Sequence, residues 1–119
     1  MLKIRQEQID AFIEARIRDF VHELCIRLRA EMAEECRNVA DLNEFAASGV
    51  TRAKHYQIHS EGAVEGFIRI QLSLGADFDT DPRYPWAEEI LRSGIAVDAV
   101  KVWLLSQSAG RVRAERPKA

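Results

Sequence analysis

The amino-acid sequence predicts an all-α, single-domain bundle of about five helices. Three observations carry that prediction. Apolar residues recur at spacings of three and four along most of the chain, the period of an amphipathic helix. No stretch alternates apolar and polar residues strongly enough to compete as a strand. The punctuation by Gly, Pro and Asp falls between the periodic stretches, where turns belong. The 119 residues, 47% hydrophobic and 30% charged, have the composition of a globular chain long enough for a continuous core. One helical domain is expected over residues 1–110, followed by a flexible basic tail over 111–119.

The first helix is expected over about 6–33. Ile9, Phe12, Ile13, Ile17, Phe20, Val21, Leu24, Leu28 and Met32 form its apolar stripe, and Arg16, Asp19, Glu23 and Arg27 its charged face. At 1.5 Å per residue it reaches about 40 Å, longer than a domain of this size is wide. It must bend around the core or project with part of its apolar stripe open to a partner. Asp41 opens the second helix as N-cap, with Glu44 in the capping-box position. Leu42, Phe45, Ala46, Val50 and Ala53 continue it, and Gly49 inside it permits close helix packing.

Ser60 is expected to cap a third helix carrying Val64, Phe67, Ile68, Ile70, Leu72 and Leu74, ending near Gly75. Being apolar on most sides, it belongs at the centre. A loop dense in turn residues and aromatics follows, then a short helix over 86–92 and a last one from Asp98, as cap, to about Ala109.

Charge and cysteine usage exclude several function classes. Lys plus Arg number 17 against 19 Asp plus Glu, a net charge of -2, and that near balance speaks against nucleic acid as partner. Cys25 sits among apolar residues and Cys36 near a helix end. The expectation is free thiols in a reducing cytoplasm, not a disulfide framework. The first residues are too charged for the apolar core of a signal peptide, and no window has transmembrane length, so no membrane is expected as partner.

The candidate chemistry concentrates in one loop. Asp77, Asp79, Asp81 and Glu88 stand at positions 1, 3, 5 and 12 of a calcium-binding EF-hand loop, where oxygen ligands at that spacing wrap one hard cation. Pro82 occupies position 6, which needs a sharp turn normally made by Gly, and a proline φ cannot become positive. Pro85 stiffens the loop again. Asp side chains that close turns and caps explain the same residues without a metal. Phe78, Tyr84 and Trp86 are candidate anchors for a protein partner; the competing expectation, favoured here, is that Phe78 and Trp86 fold inward and lock the loop down.

Other constellations are weaker. His55 and His59 have a zinc-compatible spacing, but the second helix is expected to end between them. His22 and Cys25 could meet as a thiolate–imidazole pair, but apolar company makes an inert thiol the better reading of Cys25. Glu34–Glu35 and Glu88–Glu89 lack any sign of a pocket that would tune them for acid–base work. Phosphate loops and nucleophile elbows are missing from the sequence. The expectation is a non-enzyme without cofactor.

The stretch Leu74-Gly75-Ala76-Asp77-Phe78-Asp79-Thr80-Asp81-Pro82-Arg83-Tyr84-Pro85-Trp86-Ala87-Glu88-Glu89-Ile90-Leu91 resembles a signature of small helical accessory proteins encoded among type VI secretion components. The opening Ile4-Arg5-Gln6-Glu7-Gln8-Ile9-Asp10-Ala11-Phe12 is similar to the start of that family, as is Gly49-Val50-Thr51-Arg52-Ala53-Lys54-His55-Tyr56-Gln57-Ile58 with Ser60-Glu61 after it. The part beyond Val97 departs from the pattern. The resemblance implies an adaptor or co-chaperone that helps load or stabilise a secreted effector, acting by binding a protein partner. The alternative expectation is a calcium-binding regulatory protein built on the loop from Asp77 to Glu88.

Overall fold

The computed structural model describes residues 5–115, and every regular element among them is a helix. In chain order these are α1 (Gln6–Glu31), α2 (Ala33–Arg37), α3 (Leu42–His55), α4 (Glu61–Leu74), α5 (Pro85–Leu91) and α6 (Asp98–Glu115). The chain divides into two compact units, Met1–Ala47 and Ser48–Ala119, and the division falls inside α3. No helix among the described residues is long and apolar enough to cross a membrane.

In the first unit, the 26 residues of α1 span about 39 Å at the standard rise. Its buried positions, Val21, Leu24, Cys25 and Leu28, all lie in the C-terminal half. The same apolar spacing continues through the N-terminal half, yet Ile9, Phe12 and Ile13 are exposed there at 39%, 66% and 44%. The helix stops short of the expected end because Met32 leaves helical geometry, at φ -131° and ψ 48°. Met32 still donates its N–H to Leu28 O (2.7 Å), and its carbonyl accepts from Cys36 N (3.0 Å), so hydrogen bonding carries across the break. Glu34 and Glu35 in the first turn of α2 and Arg37 in its last match the helix dipole at both ends. With this short helix the described residues hold six helices, in keeping with the expectation of about five. Asp41 caps α3 as its sequence suggests, accepting Glu44 N at Oδ1 (3.1 Å).

In the second unit α4 is central: Ala63, Val64, Phe67, Ile68, Ile70, Gln71 and Leu74 are buried. Two glycines set the spacing of its neighbours. A Cβ at Gly49 would lie 2.6 Å from Ile68 Cγ1, and one at Gly66 would lie 2.6 Å from Val102 Cγ1. Both contacts are closer than carbon atoms tolerate, so α3 and α6 approach α4 only because these positions lack side chains. Gly75 ends α4 at φ 119° and ψ 151°, a region open essentially to glycine alone.

α3 ends differently, without glycine. Gln57 takes φ 63°, Ile58 N reaches Ala53 O (3.1 Å) and Gln57 N reaches Lys54 O (3.1 Å). That pair of bonds is a Schellman closure, and it buries Ile58 to 1% exposure.

Three expectations about caps and ends are corrected. Ser60 holds the N-cap position of α4 but makes no side-chain cap bond. Asp98 instead pins the chain as it enters α4, its carboxylate accepting His59 N (2.9 Å), Ser60 N (2.8 Å) and Ser60 Oγ (3.0 Å). Asp98, expected to cap its own helix from outside, is the first residue of α6. Those backbone N–H groups, Ser60 first, hold its carboxyl below the ordinary carboxylate range. α6 also runs past Ala109 and Gly110 to Glu115, so the start of the expected flexible tail is helical; its residues 116–119 lie outside the described residues.

Candidate functional site

The loop between α4 and α5 is built by short backbone turns. Phe78 N bonds Gly75 O, Thr80 N bonds Asp77 O and Tyr84 N bonds Asp81 O (3.2, 3.0 and 2.9 Å). Asp81 Oδ1 accepts Arg83 N (2.9 Å) across Pro82, an Asx-turn. No helix starts at Pro82. The first helical position goes to Pro85, with Tyr84 as N-cap, where a proline loses no hydrogen bond.

The aromatics of this loop turn inward. Phe78 is fully buried and Tyr84 is 5% exposed, while Trp86 is half-buried. Phe78 meets Phe67 of α4 with ring centroids 5.3 Å apart, and Phe67 meets Tyr56 at 6.2 Å. Tyr84 lies 5.8 Å from Trp86, with the Arg83 guanidinium 5.3 Å from the Tyr84 ring centre. The loop is an internal staple, and two of its three candidate anchors are closed to a partner.

The acids are the polar half of the same staple. Arg52 of α3 donates Nε to Asp79 Oδ2 (2.8 Å) and Nη1 to Asp77 Oδ1 (2.7 Å). Tyr56 donates its hydroxyl to the same Asp79 oxygen at 2.5 Å. Asp79 is 1% exposed, and its other oxygen, Oδ1, has no hydrogen-bond partner. Burial, then the bond to Asp79, pushes the Tyr56 hydroxyl up to about 12. The Asp79 bond also raises the Arg52 guanidinium, against the opposing effect of burial.

The calcium pattern therefore does not assemble as one shell. Asp77 and Asp79 face Arg52, Asp81 pairs with Arg83 (2.8 Å) and Glu88 with Arg92 (3.0 Å). Four carboxylates answer to three arginines. Among the described residues no group of three or more His, Cys, Asp or Glu is placed to hold a metal ion. His55 ends α3, and His59 lies in the connection between α3 and α4, so the two are not on one helical face. The pairing of His22 with Cys25 fails on exposure: Cys25 is fully buried and His22 exposed. Burial pushes both the Cys25 and Cys36 thiols up, against Arg29, the direction of inert cysteines.

No family model, curated protein or solved structure matches the chain. What the arrangement can do follows from its own residues.

Three residues outside the predicted set matter most. Arg52 and Tyr56, the residue just past the end of α3, are four apart and so point to one side, and that spacing was the available signal. Lys101 gave none. It is 4% exposed, and its Nζ donates to Tyr56 O (3.0 Å) and Leu91 O (3.2 Å). One ammonium thus sits at the C-terminal ends of α3 and α5, where helix carbonyls are unpaired and the dipole is negative.

With the loop closed on itself, large apolar surface lies on two helices. On α6 Val100 and Trp103 are 46% and 59% exposed, with Val97 just before the helix at 57%. On α1 the exposed set is Ile9, Phe12 and Ile13 in the N-terminal half, with Ile26 apart from them in the C-terminal half.

Proposed function

We propose that this chain is a non-enzymatic protein-interaction module, an adaptor or co-chaperone that helps load or stabilise a type VI secretion effector in the cytoplasm. The observation that carries the reading is Trp103, a tryptophan 59% exposed on a helix with Val100 one turn away. Trp is the residue most enriched at binding hot spots, and clustered exposed apolar side chains mark interaction surfaces. The acidic-aromatic loop supports the reading indirectly, as the staple that holds α3, α4 and α5 in place around α6.

The test is co-expression with type VI secretion adaptors and effectors of the same genome, followed by purification on a tag carried by this chain. A stoichiometric complex is expected, and Trp103→Ala should weaken it at least about 30-fold, the scale of a hot-spot truncation. If adaptor and effector both elute apart from the folded chain at micromolar concentration, the reading fails.

A further inference from the structure

Gly49 and Gly66 let helices of this chain come close to one another, whereas Gly110 serves no such contact. A Cβ placed on it meets nothing within 4 Å, yet it stands in the body of α6, where glycine costs stability against alanine. Its surroundings are those of an open face. At 100° per residue, Ala99, Val100, Gln107, Gly110 and Ala114 fall within about 60° of the Trp103 direction. All are exposed, and none is charged. Arg111 and Arg113, also exposed, stand about 80° to either side of that line. Two guanidinium groups therefore flank a floor made by Gly110 and Ala114. From Ala99 to Ala114 the helix holds no acid.

We infer that this face takes one amphipathic helix of a partner protein. Acid side chains at one end of that helix sit between Arg111 and Arg113, its backbone comes closest at Gly110, and its apolar side chains lie on Trp103 and Val100. The inference rests on the reading above of α6 as an interaction surface and gives that surface its partner's chemistry. Charge selects the occupant. Two arginines on the rims and no acid on the face leave the carboxylates to come from outside, and a guanidinium holds a carboxylate through two parallel N–H donors. A second copy presenting the same face supplies none; it brings only arginine and uncharged side chains. Shape selects a helix. The row of small residues beside Val100, Trp103 and Gln107 is a groove for the ridge of another helix, and small contact residues bring two helix axes to about 8 Å. Along the axis Arg111 and Arg113 lie about 12 and 15 Å from Trp103. The partner segment therefore carries its acids about eight to ten residues from its main apolar contact.

Titration of the Trp86→Phe protein, in which Trp103 is the one tryptophan left, tests this through its emission. The probe is a synthetic amphipathic helix of Leu, Ala and Gln with glutamates in its first turn; a second probe carries lysines in their place. The glutamate peptide should shift the emission to the blue, less so as salt rises and screens exposed charge. The lysine peptide should bind at least about tenfold more weakly, the scale of two exposed ion pairs. Arg111→Glu combined with Arg113→Glu should reverse that preference, a result that loss of folding cannot imitate. Gly110→Leu should weaken the glutamate peptide at least about tenfold by filling the floor. The same change should raise the thermal midpoint of the free chain, since leucine is the better helix former. The inference is overturned by no emission shift, by equal binding of both peptides, by a preference the double variant does not reverse, or by unchanged affinity in Gly110→Leu. A single-stranded oligonucleotide that competes on equal terms also overturns it, because the face is then a general anion site. Failure here beside an intact effector complex removes the acidic helix and leaves the adaptor reading standing; failure of the effector test leaves the peptide result standing.

Discussion

Replacing Lys101 by Met keeps a side chain of similar length and removes the ammonium that joins the ends of α3 and α5. The structure allows the loss to be sized. Nζ makes two hydrogen bonds to backbone carbonyls, Tyr56 O and Leu91 O, and the latter contact is buried. A hydrogen bond from a charged donor contributes about 1.5–3 kcal/mol, and a buried carbonyl left without a partner costs about 1–3 kcal/mol. Against this, the Met variant no longer desolvates a charge, which offsets several kcal/mol. The apolar stem remains, so no cavity of the Leu→Ala kind opens. The bonds and the relieved charge nearly offset, so the expected net loss is about 1–3 kcal/mol, the cost of the buried Leu91 carbonyl left without a partner. Urea unfolding followed by circular dichroism at 222 nm reads it directly, as a lower midpoint at unchanged slope. Lys101→Ala should lose more, because the stem goes too. A Lys101→Met protein as stable as the parent, or more so, would show that relief of the buried charge outweighs both carbonyl contacts and would refute the assignment of Lys101 as their tie.

Three further outcomes follow from the second unit. Gly66→Ala drives a methyl into Val102 and should destabilise by about 1–3 kcal/mol, while Gly62→Ala, which meets nothing within 4 Å, should not. Gln57→Gly removes a left-handed conformation that costs an L-residue about 1–2 kcal/mol, and part of that returns to the unfolded chain as entropy; a rise in thermal midpoint is expected, and a fall would contradict the Schellman geometry. Tyr56 is held protonated in the folded state, at about 12 against an ordinary 10. A raised value means stability present below pH 10 and lost as pH rises toward 12. Tyr56→Phe should be less stable at neutral pH and should lack that alkaline decline, which a pH series of urea midpoints would reveal.

Much of the fold was legible because it rests on periodicity and local chemistry. The starts of α3 and α4, the stop at Gly75, the close packing at Gly49 and the centrality of α4 all follow from spacing or from one residue's conformational range. The break at Met32 was not legible, since neither Gly nor Pro marks it. The end of α3 was hidden because Gln57 does what glycine usually does. The continuation of α6 through Gly110 was read as a stop because a helical glycine and a helix-ending glycine look alike in sequence. In the loop, the burial of Phe78 was foreseeable from size alone, but Trp86, expected to join it, is half-buried and Tyr84 is buried instead. The acids were not foreseeable: an EF-hand spacing and a set of arginine partners use the same carboxylates. Only the fold brings Arg52 to Asp77 and Asp79 across some 25 residues of chain. Asp98 and Lys101 escaped for the same reason. Their partners lie 38 and 45 residues earlier, beyond any local rule.

Asp98 and Lys101 also fix an order of events as the chain is made. One pins the chain as it enters α4 and the other ties the ends of α3 and α5, and both stand in the first turn of α6, the last helix described. Until the ribosome has released that turn, three helices wait with untied ends, whatever their own propensity. The N-terminal half of α1, with its uncovered apolar stripe, has by then been in solution longest. A nascent chain stalled before Asp98 should therefore be the species most readily captured by general chaperones, and a few residues more of α6 should release it.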